Sequence, residues 1–460
     1  MVPSSSAVPR QRDLAISLLV LAGPVIATNM SRTVMSFVDF VMVSQLGAEA
    51  QAAILPARFV VFCAVAFGLG TVCSVNTFVS QSLGRQKLFD CSAYAWQGLY
   101  LAFATGVILL PVYWLVEPFF QWADNGPAVM QLEIAYTRIA IFGIAPSIAA
   151  AALANFFTAI YRPAIGLASV VIGNVFNVIA NYALIYGHFG FSAMGIEGAA
   201  WGTLAATVVQ VLILIIWLLL PRYGRTYGSW STWRPCPHRF WALAKVGLPA
   251  GAQFGIDIST WTLFTIILIG RFGPIQLAAN NICFSILEFS YMPAVGLGTA
   301  LAAMVGRSIG QGRLDLVRQF VGWAMLFNVG YMGTIGLVMA TFRYELPTLL
   351  TNAATPQAAS VVAAAAPLMI IGAVFQVFDG IGITLNRALQ GAGDTLYSAA
   401  VFLASSIFIL MGGGWFMTIH RYEWGSKGPW FAATTHIIVV AALLWIRYRR
   451  GGWEQLELNV

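Results

Sequence analysis

The chain alternates between long apolar segments and short polar connections. Hydropathy and the glycine, proline and charged interruptions divide it into twelve apolar segments of about 20 residues or more, long enough to cross a hydrocarbon layer of about 30 Å. These predicted spans lie near 14–46, 52–82, 91–116, 129–161, 164–187, 197–220, 243–271, 277–309, 318–342, 359–389, 396–419 and 428–447. Several exceed 25 residues, so we expect tilted or bent helices.

Composition supports a membrane protein. The 460 residues are 59% hydrophobic and only 9% charged, whereas a soluble chain is about 25% charged because its surface needs charge. The pattern therefore predicts an all-α membrane protein. The five cysteines are scattered and form neither a CxxC pair nor a disulfide framework.

The basic residues predict the orientation in the membrane. Of the 24 Lys and Arg residues, 17 fall on one set of alternate loops and six on the other, with Arg32 inside the first span. Because basic loops stay in the cytoplasm, we expect both termini on the cytoplasmic side of a cell inner (plasma) membrane, and therefore an even number of spans. This distribution explains the net charge of +7 without a nucleic-acid partner.

The two halves resemble each other at an offset of about 225 residues. AGPVIATNM (22–30) matches VGLPAGAQF (246–254), and SQSLGRQKL (80–88) matches GRSIGQGRL (306–314). Both halves begin on the same side, so we expect two six-helix bundles related by a pseudo-two-fold axis along the membrane normal, with the substrate path between them.

The repeat also predicts domain boundaries and bending points. Pro24 and Pro249 align inside the first span of each half, and each should kink its helix because proline removes a backbone donor. The predicted domains are an N-terminal bundle (1–220), a cytoplasmic linker (221–242), a C-terminal bundle (243–447) and a cytoplasmic tail (448–460).

Four acids lie inside apolar segments, namely Asp39, Asp257, Glu288 and Asp379. A charge in the bilayer costs a few kcal/mol (~3), so such acids usually face the protein interior and carry function. Each is a candidate to carry a proton or to bind a desolvated cation. The alternative is a structural ion pair with a buried arginine, and Arg32 shares a helix face with Asp39.

Two of the acids have an amide about one turn before them. Gln253 precedes Asp257 by four residues and Gln376 precedes Asp379 by three, spacings that share a helix face. Carboxylate and amide oxygens suit a hard cation such as Na⁺.

The fifth predicted span carries a polar stripe. Asn174, Asn177 and Asn181 recur at spacings of three and four residues. The stripe predicts either ligands for a cation or hydrogen bonds between helices.

Enzyme motifs are missing from the sequence. It contains no Walker A string and no HExxH, and its four histidines form no cluster with cysteine. We therefore do not expect an ATPase, a membrane protease, a metal enzyme or any other enzyme, and we expect no cofactor.

Four strings in chain order resemble the multidrug and toxic compound extrusion (MATE) family, and its NorM-like branch most closely. The strings are VDFVMVSQLG (38–47), MGIEGAAWGT (194–203), LAANNICFSILEFSYMPAVGLGTALAAMVGRSIGQG (277–312) and FQVFDGIGITLNRALQGAGDT (375–395). The resemblance implies two bundles that rock between outward- and inward-open states while a Na⁺ or H⁺ gradient drives drug export.

The resemblance also implies two sets of site residues. In the N-terminal bundle, Asp39, Asn177, Asn181 and Thr203 match the family's cation-binding positions. In the C-terminal bundle, Asp257 and Asp379 match the acids of the seventh and tenth helices, and Gln253 and Gln376 are the amides beside them.

Two positions depart from the family pattern. Asn181 stands where an aspartate is frequent, which removes one charge from the N-terminal set. Asp257 stands where glutamate is usual, which keeps the charge but shortens its reach. The resemblance assigns no role to Glu288.

The sequence thus predicts a monomeric antiporter that exports amphiphilic organic cations and drugs by alternating access, with Na⁺ favoured over H⁺ as the coupling ion. The alternative is a flippase for lipid-linked oligosaccharides, whose cavity would need arginines to pair with pyrophosphate. A passive channel or a structural membrane protein is a third class, and it would not need the paired acids.

Overall fold

The computed structural model describes residues 11–123, 125–351 and 356–454. Within these ranges the chain is built from α-helices, which are α1 Gln11–Ser44, α2 Ala48–Val72, α3 Ser74–Gly84, α4 Leu88–Leu109, α5 Val112–Ala123, α6 Pro127–Ala140, α7 Ile144–Ala159, α8 Pro163–Tyr186, α9 Ile196–Leu219, α10 Pro221–Tyr227, α11 Pro237–Leu263, α12 Pro274–Gly310, α13 Leu314–Thr341, α14 Glu345–Leu350, α15 Ala358–Ala392, α16 Thr395–Ser405, α17 Gly414–His420 and α18 Lys427–Arg449. Two π-helical stretches, Phe264–Ile269 after α11 and Ser406–Gly413 between α16 and α17, continue these helices.

The helices confirm a protein that crosses the membrane many times. In the described ranges, eleven helical stretches are long and apolar enough to span a bilayer. A twelfth span arises when α4 and α5, which meet at 46°, are counted together. The third predicted span, 91–116, is therefore bent rather than continuous. Pro111 at the break explains the bend, since proline lacks a backbone donor and disfavours helical geometry in the residue before it.

Pro24 and Pro249 both lie inside unbroken helices. α1 continues through Pro24 and α11 continues through Pro249. Neither proline ends its helix, so the bending expected at these two positions stays a prediction.

The described residues form two compact units. Residues 27–255 form one, here called the N-terminal unit, and residues 11–26 with 256–454 form the other, called the C-terminal unit. The unit boundaries therefore fall inside α1 and α11, whereas the sequence halves divide at the linker. Residues 11–26 of α1 belong to the C-terminal unit, and residues 237–255 of α11 belong to the N-terminal unit. The first helix of each half therefore begins in the unit that is built mainly from the other half.

Small residues allow this exchange of segments. In the N-terminal unit, a Cβ on Gly70 of α2 would lie 2.5 Å from the Ala250 carbonyl oxygen of α11. In the C-terminal unit, a Cβ on Gly296 of α12 would lie 2.7 Å from Ile26 Cγ1 of α1. Glycine at both crossings lets the helix backbones approach closely, as is typical of membrane helices.

The linker 221–242 is a packed part of the N-terminal unit. Trp96 Nε1 on α4 donates to the Ser229 carbonyl at 2.9 Å, and Gln97 Nε2 donates to the Arg234 carbonyl at 3.1 Å. The segment between α9 and α11 is thus held against α4 by side-chain bonds to its backbone.

Candidate cation sites

Asp39 lies near the end of α1 in the N-terminal unit. Its side chain is only 7% exposed, and Asn181 Nδ2 on α8 donates to its Oδ1 at 2.8 Å. The predicted acid and the predicted asparagine stripe therefore meet, although 142 residues separate them.

Asn177 and Thr203 complete this N-terminal cluster. With its amide nitrogen facing the carboxylate, Asn177 donates to Asp39 Oδ1 at 2.8 Å, and its oxygen then accepts from the Thr203 backbone N–H at 3.2 Å. All four predicted residues of the N-terminal set thus share one polar cluster, built on α1, α8 and α9.

Gly202 of α9 was not singled out by the sequence, yet the cluster depends on it. A Cβ at this position would overlap Asn181 Oδ1. Asn181 itself is fully buried. Only a residue without a side chain allows α9 to pass this close to the amide.

The third asparagine of the stripe has a different role. Asn174 Nδ2 donates to the Ser31 carbonyl at 3.0 Å and to Ser31 Oγ at 2.9 Å. Both acceptors belong to α1. Asn174 therefore joins α8 to α1 by hydrogen bonds and lies outside the Asp39 cluster.

Two arginines occur on the helices around Asp39. Arg58 of α2 donates to the Ser36 carbonyl at 2.9 Å and to Ser36 Oγ at 2.8 Å, and its charge interacts with Asp39 from there. Arg32 is exposed on α1. Among the described ion pairs none joins Arg32 to Asp39, so the structural pair considered from the sequence is not formed.

Asp257 lies on α11 in the C-terminal unit, where it is half-buried. Trp261, one turn later on the same helix, donates its indole N–H to Asp257 Oδ1 at 3.0 Å. A neutral donor holds one carboxylate oxygen and leaves the charge of the acid uncompensated.

Asp379 lies on α15, where the negative charge of Asp257 acts on its carboxyl group. It is half-buried, and no described residue forms a hydrogen bond or an ion pair with it. The charges of both acids also act on the hydroxyl group of Tyr291 on α12. Two acids that interact without a basic partner repel each other unless a proton or a cation lies between them.

The two predicted amides are buried but are not bonded to the acids. Gln253 is 5% exposed and Gln376 is 1% exposed. Gln253 Oε1 and Gln376 Nε2 have no partner among the described residues. Gln253 belongs to the N-terminal unit, and the hydrogen bond that Asp257 accepts comes from Trp261.

Two further glutamates differ in burial. Glu288, one of the four candidate acids but without a role in the family resemblance, is exposed on α12 and does not face the protein interior. Glu133 on α6 is fully buried; Asn125 Nδ2 donates to its Oε1 at 2.9 Å, and its Oε2 has no partner in the described part of the chain. Sequence reasoning missed Glu133 because it stands in the polar opening of a span, where an acid normally reaches water.

Comparisons with known proteins place the chain in a family. The family model MatE matches residues 24–183 and again 256–415, once in each half. The chain is 27% identical to a probable multidrug resistance protein NorM of Brucella suis biovar 1 (strain 1330), covering 95% of this chain and 93% of that protein. It is 29% identical to a protein of the same name from Rhizobium meliloti (strain 1021), covering 94% and 92%.

The fold is also that of a solved transporter. The crystal structure of the eukaryotic MATE transporter AtDTX14 superposes with a TM-score of 0.85 at 17% identity, covering 97% of each chain. At that identity the likeness concerns the fold alone. The family model covers well over half of the chain, with one match in each half, and the chain therefore belongs to the MATE family of multidrug and toxic compound extrusion transporters.

Proposed function

We propose that the chain is a cation-coupled antiporter that exports amphiphilic organic cations by alternating access, with Na⁺ favoured over H⁺. The observation that carries this proposal is the pair Asp257 and Asp379. Both acids lie in apolar helices of the C-terminal unit, the charge of Asp257 acts on Asp379, and no ion pair of the described residues includes either acid. Such a pair needs a proton or a cation to be stable in a membrane.

The choice of Na⁺ rests on the ligands that the C-terminal unit offers. Trp261 takes up one oxygen of Asp257, so one oxygen of Asp257 and both oxygens of Asp379 are left for an ion. Oxygen ligands of this kind suit a hard cation. H⁺ is the second candidate, because a single proton shared between the two acids would also relieve their repulsion.

The N-terminal cluster is proposed as a weaker second cation site. Asp39 accepts bonds from two amides and interacts with the charge of Arg58. Its charge is therefore better compensated than that of the C-terminal pair, and Asn181 adds no carboxylate.

Coupling follows from differential affinity. A cation at Asp257 and Asp379 drives export if it binds the state that releases cargo outward more tightly than the state that loads it. The reciprocal requirement is that bound cargo weakens cation binding by the same factor.

The cargo is proposed from the membrane acids and from the relatives, which are named for multidrug resistance. Acidic side chains attract organic cations, and aromatic side chains add cation–π contacts. A pyrophosphate-bearing lipid would instead need several paired arginines, and the acids argue against that cargo.

We also propose that the protein is a monomer in the cell inner membrane. We further propose that both termini lie in the cytoplasm, because the basic residues concentrate on the loops that lie on the same side as the termini. A reporter enzyme that is active only outside the cytoplasm, fused after the final helix, should stay inactive. Activity of that fusion would reverse the proposed orientation.

The function is tested in liposomes that contain the purified protein. Efflux of a fluorescent lipophilic cation is measured under an imposed Na⁺ gradient, an imposed H⁺ gradient, or neither, with Asp257→Asn, Asp379→Asn and Asp39→Asn beside wild type. The matched control is Asp315→Asn, since Asp315 is an exposed acid of the C-terminal unit.

We expect a Na⁺ gradient to accelerate wild-type efflux, the two C-terminal variants to lose that response, and Asp39→Asn to weaken it. The control should behave as wild type. If the efflux rate depends on neither gradient, the proposal of antiport is wrong. If Asp257→Asn and Asp379→Asn respond to Na⁺ as wild type does, the assignment of the cation site to these two acids is wrong. A response to H⁺ alone would replace the proposed ion.

A further inference from the structure

His436 of α18 is a buried histidine that the proposed function does not use. Its side chain is fully buried. Nδ1 lies 2.7 Å from Ser405 Oγ, the last residue of α16, and Nε2 has no partner in the described part of the chain. A histidine in an apolar bundle needs a reason, because a phenylalanine would fill similar space without burying polar atoms.

The neighbours of His436 lead to the proposed cation site. Its ring meets the ring of Trp261 edge to face, with centroids 6.3 Å apart and planes at 75°. Trp261 is the residue that donates to Asp257 Oδ1 at 3.0 Å. One side chain therefore joins α18 to the carboxylate of Asp257.

Trp261 is held on several sides. Three phenylalanine rings also meet it edge to face, with centroids 5.7 Å away for Phe264, 5.6 Å for Phe284 and 5.7 Å for Phe375. These three rings have no polar group, so no hydrogen bond sets their orientation against Trp261. His436 is the cage member whose own orientation is set by a hydrogen bond.

The elements that meet here have a local irregularity in common. Ser405 directly precedes the π-helical stretch Ser406–Gly413, and Trp261 lies three residues before the π-helical stretch Phe264–Ile269. π-helical turns inside α-helices are frequent at functional sites.

We propose that His436 is a positioning residue for the coupling cation. Bonded to Ser405, it holds Trp261 edge-on, and Trp261 in turn holds Asp257 in the orientation that presents its second oxygen to the ion. His436 itself touches neither cation nor cargo. The proposal rests on the function proposed above and extends it to the twelfth span.

The test measures how efflux depends on Na⁺ concentration in liposomes. The variants are His436→Phe, which keeps the aromatic volume and removes the bond to Ser405, Ser405→Ala, Trp261→Phe, and the double variant His436→Phe with Trp261→Phe. His420→Gln is the matched control, since His420 is exposed at the end of α17.

We expect His436→Phe and Ser405→Ala each to raise the half-saturating Na⁺ concentration about five-fold, the loss of roughly one oriented aromatic contact. The efflux rate at saturating Na⁺ should stay near wild type. In the Trp261→Phe background, His436→Phe should have no further effect, because the residue it acts through has lost its donor. The control should match wild type.

A direct binding readout keeps the test independent of expression and turnover. Na⁺ raises the thermal unfolding midpoint of a protein that binds it, and His436→Phe should need more Na⁺ than wild type for the same rise. His436→Gln, which keeps a polar group toward Ser405 but removes the ring that meets Trp261, serves if the phenylalanine variant does not fold, and it too should need more Na⁺ than wild type.

The outcomes separate this proposal from the function on which it rests. If wild type responds to Na⁺ and Asp257→Asn does not, but His436→Phe has the wild-type Na⁺ dependence, only the role of His436 is overturned. Additive effects of His436→Phe and Trp261→Phe would overturn it as well. If Asp257→Asn matches wild type, the cation site and the role of His436 fall together.

Discussion

Asn181 donates its side-chain amide to Asp39 Oδ1 at 2.8 Å, which ties α8 to α1 deep inside the N-terminal unit. The bond gives a physical reason for an asparagine at this position. An aspartate in place of Asn181 would put a second carboxylate against Asp39, and a shared proton or cation would then be required. With asparagine, the contact is stable without either.

The donor at position 181 should stabilise the fold. Replacing Asn181 by leucine leaves Asp39 with one fewer partner in a buried site, so we expect a loss of about 1–3 kcal/mol in the free energy of unfolding. The thermal midpoint in detergent checks this. Ser44→Ala, at a half-buried residue on the same helix as Asp39 whose hydroxyl donates to the Val41 carbonyl of that helix, should stay within about 0.5 kcal/mol of wild type. An unchanged midpoint for Asn181→Leu would contradict the bond.

A carboxylate at position 181 should make the N-terminal unit depend on cations. For Asn181→Asp we expect a lower thermal midpoint than wild type in choline chloride, and a larger rise when Na⁺ replaces choline. Repulsion between two acids is the cause of both effects. The same rise in variant and wild type would show that Asp39 and position 181 do not bind a cation together.

The close passage of α9 should not tolerate a side chain at Gly202. Gly202→Ala places a methyl group on Asn181 Oδ1, so α8 and α9 must separate or the amide must move. We expect a destabilisation of about 1–3 kcal/mol and reduced efflux. Gly330→Ala on α13 is the control, because no atom lies within 4 Å of its Cβ position. The idea fails if both variants unfold at the wild-type temperature.

The length of the acid at position 257 should tune cation binding, while its charge should be essential. Asp257→Glu, which keeps the charge and lengthens the side chain by one methylene group, should keep gradient-driven efflux and change the half-saturating Na⁺ concentration. Asp257→Asn should abolish the response. The two variants are compared in one liposome assay, and an active Asp257→Asn would mean that no charge is needed there.

In the C-terminal unit, the buried ion pair of Asp394 with Arg447 should stabilise the fold far more than the exposed pair of Asp315 with Arg313. Asp394 is 5% exposed, and its Oδ2 accepts from Arg447 Nε at 2.8 Å, joining the start of α16 to the end of α18. We expect Asp394→Ala to cost about 2–4 kcal/mol, since it leaves Arg447 without its partner. Asp315→Ala, which breaks the exposed pair with Arg313, should cost at most about 1 kcal/mol. Equal thermal midpoints would contradict the difference in burial.

Much of this protein could be predicted from its sequence. The spans follow from hydropathy, since a helix must be long and apolar to cross a bilayer whatever its neighbours are. The acids Asp39, Asp257 and Asp379 also stand out, because a charge inside an apolar segment is costly and needs a reason. The relation between the halves is visible in the sequence, and one family model matches each half.

Only the tertiary structure decided which side chains meet. Asp257 has Gln253 on one side and Trp261 on the other, both one turn away, and helix periodicity gives no ground for preferring the indole. Contacts between residues far apart in the chain are still harder to predict from the sequence, as for His436, which lies 175 positions beyond Trp261. Hydropathy and spacing describe one helix at a time, whereas contacts between helices depend on rotation and packing, in which a glycine such as Gly202 can decide the outcome.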